Sequence, residues 1–271
     1  MFIEDWSGRS IRVEASHGGV LATADFANNL LPMGDCIPPF LIQKLFDAKR
    51  DHCFEPSAQR VLTEKLGFYS DLQSINSEDA ITASYFGLLA MASPETQTRF
   101  SNWLLERLNL SVRNSTCIVD LWRRVPHPQS DGMGGPELDF ILSGDRCQFV
   151  GETKWGSSEG RGQGIYKDKG QLELRVDYLQ GLARRMAPCT AKVLLCIFES
   201  PNSFPNRPPS TSEVLVEFMT WTDLAEFEEH PRAAEFSRYL AWKRQHLRRR
   251  RPTSEPSASR VQRRVHDEVR T

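Results

Sequence analysis

The chain has 271 residues, of which 39% are hydrophobic and 25% charged, and its formal net charge is −1. This is the composition of a folded domain, and it excludes collagen-like, low-complexity and disulfide-scaffold chains. No stretch approaches the ~18 apolar residues of a membrane-spanning helix, and the balanced charge makes no global case for a polyanionic partner.

The charge is unevenly placed. From Lys243 onward ten Lys or Arg stand against three acids, about +7, which leaves about −8 on the remainder. Six cysteines are scattered without a C-x-x-C pair, which argues against a zinc knuckle, and Cys147 and Cys196 read as buried thiols. The first residues show neither a basic region nor a long apolar run, so a cytoplasmic, reduced protein without a membrane partner is expected.

Residues 1–75 are broken by Gly18-Gly19, Pro32, Pro38-Pro39 and Pro56, and read as an irregular, helical N-terminal extension. Helices are expected over 40–50 and 57–66. At Asn76-Ser77-Glu78-Asp79 a capping side chain precedes two acids that suit the helix dipole, and Ile81, Tyr85, Leu88, Leu89 and Ala92 continue as a helical stripe. Ser93-Pro94-Glu95 starts the next helix, with Ser as cap and Pro at the first position.

Strands follow. Residues 116–125 are rich in Ile, Val and Trp, 126–135 form a Pro/Gly loop, and 138–142 join 147–152 through a short turn as an antiparallel hairpin. Residues 156–164 are glycine-rich and expected to be mobile. A helix over 168–186, strands over 192–198 and 214–221, a short helix capped by Thr222, and a helix over 232–247 complete a domain over 76–250. Residues 251–271 hold few apolar groups and are expected to be a disordered basic tail. The order implies an α/β core, a mixed sheet flanked by helices.

Glu152-Thr153-Lys154 ends the second hairpin strand. Alternate strand residues share a face, so Glu152 and Lys154 project together and Thr153 lies opposite. Asp139, on the preceding strand, falls level with Glu152 or one pair away. Two carboxylates and one ammonium in a small patch suit phosphodiester hydrolysis. Asp139 and Glu152, with the Thr153 carbonyl, offer hard oxygen ligands for Mg²⁺ or Mn²⁺, and Lys154 can hold the attacking water or offset developing charge. Glu137 stands on the same strand face as Asp139 and is an alternative first acid, although Asp139 lies deeper in the apolar run. A surface Glu–Lys pair, contributing about 0–1 kcal/mol, would not explain why these residues interrupt so apolar a segment.

Pro136-Glu137-Leu138-Asp139, twelve residues, then Glu152-Thr153-Lys154 resembles the PD-(D/E)XK nuclease superfamily, with its restriction-endonuclease-like fold. The resemblance covers roughly residues 76–222. It implies a third acid near the metal from the upstream helix, Glu78, and an orienting glutamine on the downstream helix, Gln171. It also implies a Mg²⁺- or Mn²⁺-dependent phosphodiesterase acting on nucleic acid, DNA before RNA, in defence against foreign DNA or in repair. Two rivals stand beside it: a noncatalytic nucleic-acid-binding or assembly module of the same fold, and an unrelated α/β interaction protein with an accidental motif.

Other features carry less. Gly160-Arg161-Gly162-Gln163-Gly164 lacks the context of a phosphate-binding loop, and the adjacent Asp51-His52-Cys53 cannot converge on one point. Arg175, one turn after Gln171, is expected either to meet a phosphate or to pair with Glu173 or Asp177 in solvent. Trp122, Arg123 and Arg124 read as a solvated strand face or a nucleic-acid contact, and Arg248–Arg251 as a tether or solubilising tail. A homodimer or another protein partner is compatible with the sequence, which identifies neither.

Overall fold

The structure is a computed structural model and describes residues 1–16, 19–35, 37–52, 58–67, 69–125, 137–157, 169–183 and 190–247, with the backbone alone for 48–52 and 58–61. The basic tail 251–271, Arg248–Arg251, the loop 126–135, most of the glycine-rich segment 156–164 and the side chains of Asp51-His52-Cys53 lie outside the described residues. Among the described residues no helix is long and apolar enough to cross a membrane.

The N-terminal region differs from the helical extension expected. Strands β1 (Phe2–Glu4), β2 (Ser10–Ala15) and β3 (Leu21–Thr23) form a three-stranded antiparallel sheet in chain order. Strands this short show alternation poorly. It is visible only in β2, where Ile11 and Val13 are buried between exposed Ser10 and Arg12. The two helices expected next are present as α1 (Pro39–His52) and α2 (Ala58–Leu66).

A helical stretch then leads to the site. Ser77 caps α3 (Glu78–Thr82) by accepting from the Ala80 N–H at 3.0 Å. The chain continues through a π turn (Ala83–Gly87) into α4 (Leu88–Ala90). Helix α5 (Pro94–Arg107) begins as its sequence predicts, with Ser93 accepting from the Thr96 N–H at 3.2 Å and Pro94 in the first turn.

The central sheet has five strands in chain order: β4 (Cys117–Arg124), β5 (Glu137–Gly144), β6 (Cys147–Lys154), β7 (Ala191–Phe198) and β8 (Leu215–Thr220). The first three are antiparallel neighbours, whereas β6, β7 and β8 run parallel. Helix α6 (Gln171–Ala183) forms the crossover between β6 and β7 that a parallel pair requires. Helices α7 (Trp221–Leu224) and α8 (Ala233–His246) close the chain. The cap of α7 is Thr220, not Thr222: its hydroxyl accepts from the Asp223 N–H, and Asp223 accepts from the Thr220 N–H.

Helices cover both sheet faces, so β6 and β7 are nearly continuous runs of buried residues. On one face Phe140, Phe149 and Leu195 pack with Tyr85, Phe100, Trp221 and Phe236. On the other Val150, Leu194 and Cys196 meet Leu172, Val176 and Leu179 of α6. Ile11 and Val13 of β2 join the first of these cores. Tyr239 Oη donates to the Asn29 carbonyl at 2.8 Å and Trp242 Nε1 to that of Glu4 at 2.9 Å, binding α8 to the N-terminal region. Cys117, Cys147 and Cys196 are buried free thiols.

One glycine is sterically required beside the site. A Cβ on Gly151 would lie 1.9 Å from the Phe140 ring, which stacks on Phe86 with centroids 3.7 Å apart. Phe140 and Gly151 are register partners on β5 and β6. The ring occupies the place a side chain would take, immediately before Glu152.

Candidate active site

The acids converge because β5 and β6 separate at one end. Their regular pairing runs from Ser143–Gln148 to Phe140–Gly151. Beyond it, Asp139 Oδ2 accepts from the Thr153 N–H at 2.7 Å and from Thr153 Oγ1 at 2.8 Å. Thr153 Oγ1 also lies 2.9 Å from Thr82 Oγ1 on α3. Asp139 and Thr153 thus meet on the α3 side, and Glu152 and Lys154 face α6. Strand alternation predicts Thr153 opposite Glu152 and Lys154, but counted from Phe140, which packs on the α3 side, it would put Asp139 with Glu152; the alternation breaks at Asp139, where the pairing of β5 with β6 ends.

Lys154 bridges the two. Its ammonium donates to Glu152 Oε1 at 2.7 Å, Glu78 Oε1 at 2.9 Å and the Thr153 carbonyl at 2.9 Å, which uses all three donors. Its own carbonyl accepts from Trp221 Nε1 at 3.2 Å, fixing the strand beneath it. Glu78 opens α3, and its Oε2 accepts from Ser157 Oγ at 2.6 Å and the Trp155 N–H at 3.2 Å. One carboxylate oxygen from each of Glu78, Asp139 and Glu152 lies within 4.8 Å of the others.

This grouping brings together five of the six residues singled out from the sequence: Asp139, Glu152, Lys154, Glu78 and Thr153. Glu137, the alternative acid, is directed elsewhere. Its carboxylate meets Lys44 Nζ at 2.5 Å and Arg124 Nε at 3.4 Å. Gln171 is the first residue of α6 and is half-buried.

Arg175 corrects an expectation. It is buried, with Nε and NH2 donating to Glu152 Oε2 at 3.1 and 3.0 Å, and NH2 also reaching the Glu137 carbonyl at 2.7 Å. The sequence places it near Glu173 and Asp177, but the Gly170 N–H donates to Glu173 and Lys169 pairs with Asp177. Arg175 lies instead on the α6 face turned toward the sheet. Two further residues were not anticipated, Lys44 and Asp79, whose Nζ and Oδ2 are 3.3 Å apart. Asp79 is legible only as a helix-start acid, and no local pattern in α1 indicates where Lys44 reaches. Trp122 is no solvated strand residue: it is half-buried, adopts φ +50°, packs its ring against Phe40 and lies under the Lys44 ammonium.

Burial and charge set the protonation of the cluster. Burial pushes Glu78 up to about 7, and Asp139 adds to this against the opposing pull of Lys154. Asp79 is raised to about 6 by burial and Asp139, with Lys44 opposing. Glu152 is raised by burial and by Asp139, although Arg175 and Lys154 favour its charged form. Burial disfavours the Lys154 ammonium, but Glu152, Glu78 and Asp139 outweigh it and hold the pKa above the usual lysine value.

The donor set is compatible with a hard divalent cation. Two ligands of one Mg²⁺ at ~2.1 Å lie at most about 4.2 Å apart, so oxygens spread over 4.8 Å need only a small closure. Among the described residues only Thr153 donates to Asp139, and both bonds fall on Oδ2. The Thr153 carbonyl faces the same space, since the Lys154 ammonium bonds it together with Glu78 and Glu152. No protein family, curated protein or solved structure matches the chain. The functional reading therefore rests on the sequence and on this geometry.

Proposed function

We propose that the chain is a metal-dependent nuclease of the PD-(D/E)XK type, with a restriction-endonuclease-like core, that hydrolyses phosphodiester bonds in nucleic acid. The observation that carries the reading is the convergence of Glu78, Asp139 and Glu152 around Lys154 at the splayed end of a hairpin. The element order supports it: helices, three antiparallel strands, a crossover helix and a parallel strand.

In this reading Glu78, Asp139, Glu152 and the Thr153 carbonyl hold Mg²⁺ or Mn²⁺. When bound, the cation supplies a water of lowered pKa and a clamp on phosphate oxygens. Lys154 holds the attacking water or offsets charge developing on the phosphorus oxygens, as a compact ammonium beside Glu152 can. Asp139 is oriented by the two Thr153 donors, and Arg175 fixes the rotamer and charge of Glu152. Gln171 remains the candidate orienting group on α6. DNA is the expected substrate ahead of RNA, in defence or repair.

A second reading has its own support. Glu152 already meets two cations, and the Lys154 donors are fully engaged, so the ionic network is complete without a metal. That favours a noncatalytic nucleic-acid-binding or assembly module of the same fold. Incubation with plasmid, linear and single-stranded DNA and with RNA, in Mg²⁺, Mn²⁺ or chelator, separates the two. Metal-dependent cleavage supports the nuclease; binding without cleavage under any metal supports the module.

A further inference from the structure

The cations around the acids are already engaged. Lys154 and Arg175 serve Glu152, Lys44 lies between Asp79 and Glu137, and Arg244 pairs with Glu199. A polyanion approaching the cluster therefore needs positive charge from elsewhere on the same face.

Arg207 provides it. It lies on the connection between β7 and β8 and is exposed. Its guanidinium stands over the Phe218 ring at 4.4 Å and the Phe198 ring at 5.5 Å. Among the described residues no carboxylate pairs with it and no acceptor takes its N–H groups. Aromatic faces orient a guanidinium without consuming its in-plane donors, which stay available for two oxygens of a phosphate.

Register ties Arg207 to the acids. Glu152 pairs with Cys196 and Cys196 with Phe218, while Lys154 pairs directly with Phe198. Side chains paired across parallel strands share a face, so Phe198 and Phe218 stand on the α6 side with Glu152 and Lys154. Two strand spacings put the platform about 10 Å from Glu152.

We propose that Arg207, seated on Phe198 and Phe218, is a phosphate-binding position that grips the nucleic-acid backbone beside the acidic cluster. This rests on the nucleic-acid reading of the site. The contact is with phosphate rather than base, so it holds a strand without regard to sequence.

The test is equilibrium binding of short fluorescent single- and double-stranded DNA and RNA by the wild-type chain, Arg207→Ala, Arg207→Lys and Phe218→Leu. Each is titrated over a range of salt, once with chelator and once with Ca²⁺. Arg207→Ala should weaken binding about tenfold and lower the slope of log affinity against log salt by about one. Arg207→Lys should keep the slope and lose part of the affinity, and Phe218→Leu should fall between wild type and Arg207→Ala. Unchanged affinity and slope in Arg207→Ala, with wild type binding normally, would overturn the Arg207 inference alone. Wild type that binds none of the four nucleic acids in either condition would overturn the nucleic-acid reading as well. The DNA and RNA arms identify which backbone is held.

Discussion

The Thr153 N–H, which a regular hairpin would give to a backbone carbonyl, is donated to the Asp139 carboxylate at 2.7 Å. That substitution of side chain for backbone marks where β5 and β6 part. It lets acids from opposite sheet faces meet at one end of the sheet. It also makes Asp139 a structural acceptor as well as a candidate ligand, so its replacements should preserve an acceptor oxygen.

Glu152 is fully buried between two cations, which makes it more than a removable ligand. Carboxylates clustered without a cation repel one another, and on that ground alone neutralising Glu152 would leave folding intact. The structure predicts otherwise. Glu152→Gln leaves Lys154 and Arg175 buried with one counter-charge fewer. Glutamine relieves the buried charge that burial and Asp139 disfavour, but it leaves donors of Lys154 and Arg175 without their acceptor, so the variant should lose about 1–3 kcal/mol, read as a lower denaturant midpoint at unchanged slope. An unaltered midpoint would show that solvent reaches this pair.

Metal affinity should depend on pH through Glu78. Its pKa is raised to about 7, and a cation binds only the carboxylate form. Mn²⁺ affinity measured calorimetrically should therefore rise as pH climbs through about 7 and level off above it. Without metal the sign is opposite. A carboxyl pKa raised above its unfolded value makes the folded state hold the proton more tightly, so its contribution to stability falls as pH rises from the ordinary carboxyl range to about 7. Glu78→Gln should flatten both profiles.

His230 predicts an acid-sensitive core. It stacks on Tyr85 with centroids 4.4 Å apart, Nδ1 accepts from the Arg232 N–H, and Nε2 therefore carries the proton that bonds the Tyr85 carbonyl at 3.1 Å. Burial lowers its pKa to about 4. Between about 6.5 and 4 the unfolded chain takes up a proton that the fold refuses, so stability is lost as pH falls through that window. The loss approaches about 3 kcal/mol. Urea melts of wild type and His230→Gln should diverge in slope against pH there and run parallel above it.

Lys243 is completely buried, and its ammonium has Asn29 Oδ1 and the Ser77 carbonyl each at 3.4 Å and no carboxylate partner among the described residues. Burial depresses its pKa well below the usual lysine value. Lys243→Met should stabilise the fold by about 1–3 kcal/mol at neutral pH, because an imperfectly satisfied polar group is removed. The gain should shrink in alkaline melts, where the unfolded lysine also loses its charge. A destabilised variant would mean that Lys243 bonds Asn29 and Ser77 more strongly than these distances imply.

Much of the architecture was legible where local signals agree. Ser77 before two acids, Ser93-Pro94, and the alternation that places Glu152 and Lys154 together are each encoded within a few residues. Strands β1 and β3 were not, because three residues carry no periodicity and their order comes from pairing with β2. The α7 cap was misplaced by two residues, since β8 ends on the residue that caps the helix. Arg175 and Lys44 escaped because a charged residue on a helix reads as solvated until the fold shows which acid it faces.

The most direct test of the central claim is cleavage of DNA and RNA by wild type and Asp139→Asn, purified side by side and assayed in Mg²⁺, Mn²⁺ and chelator. Asparagine keeps an acceptor for the Thr153 donors and removes the charge that would hold the cation. The account predicts wild-type cleavage in Mg²⁺ or Mn²⁺, none in chelator, and a loss of several orders of magnitude in Asp139→Asn with folding retained. Cleavage indifferent to chelator, or equal in the two proteins, would contradict it.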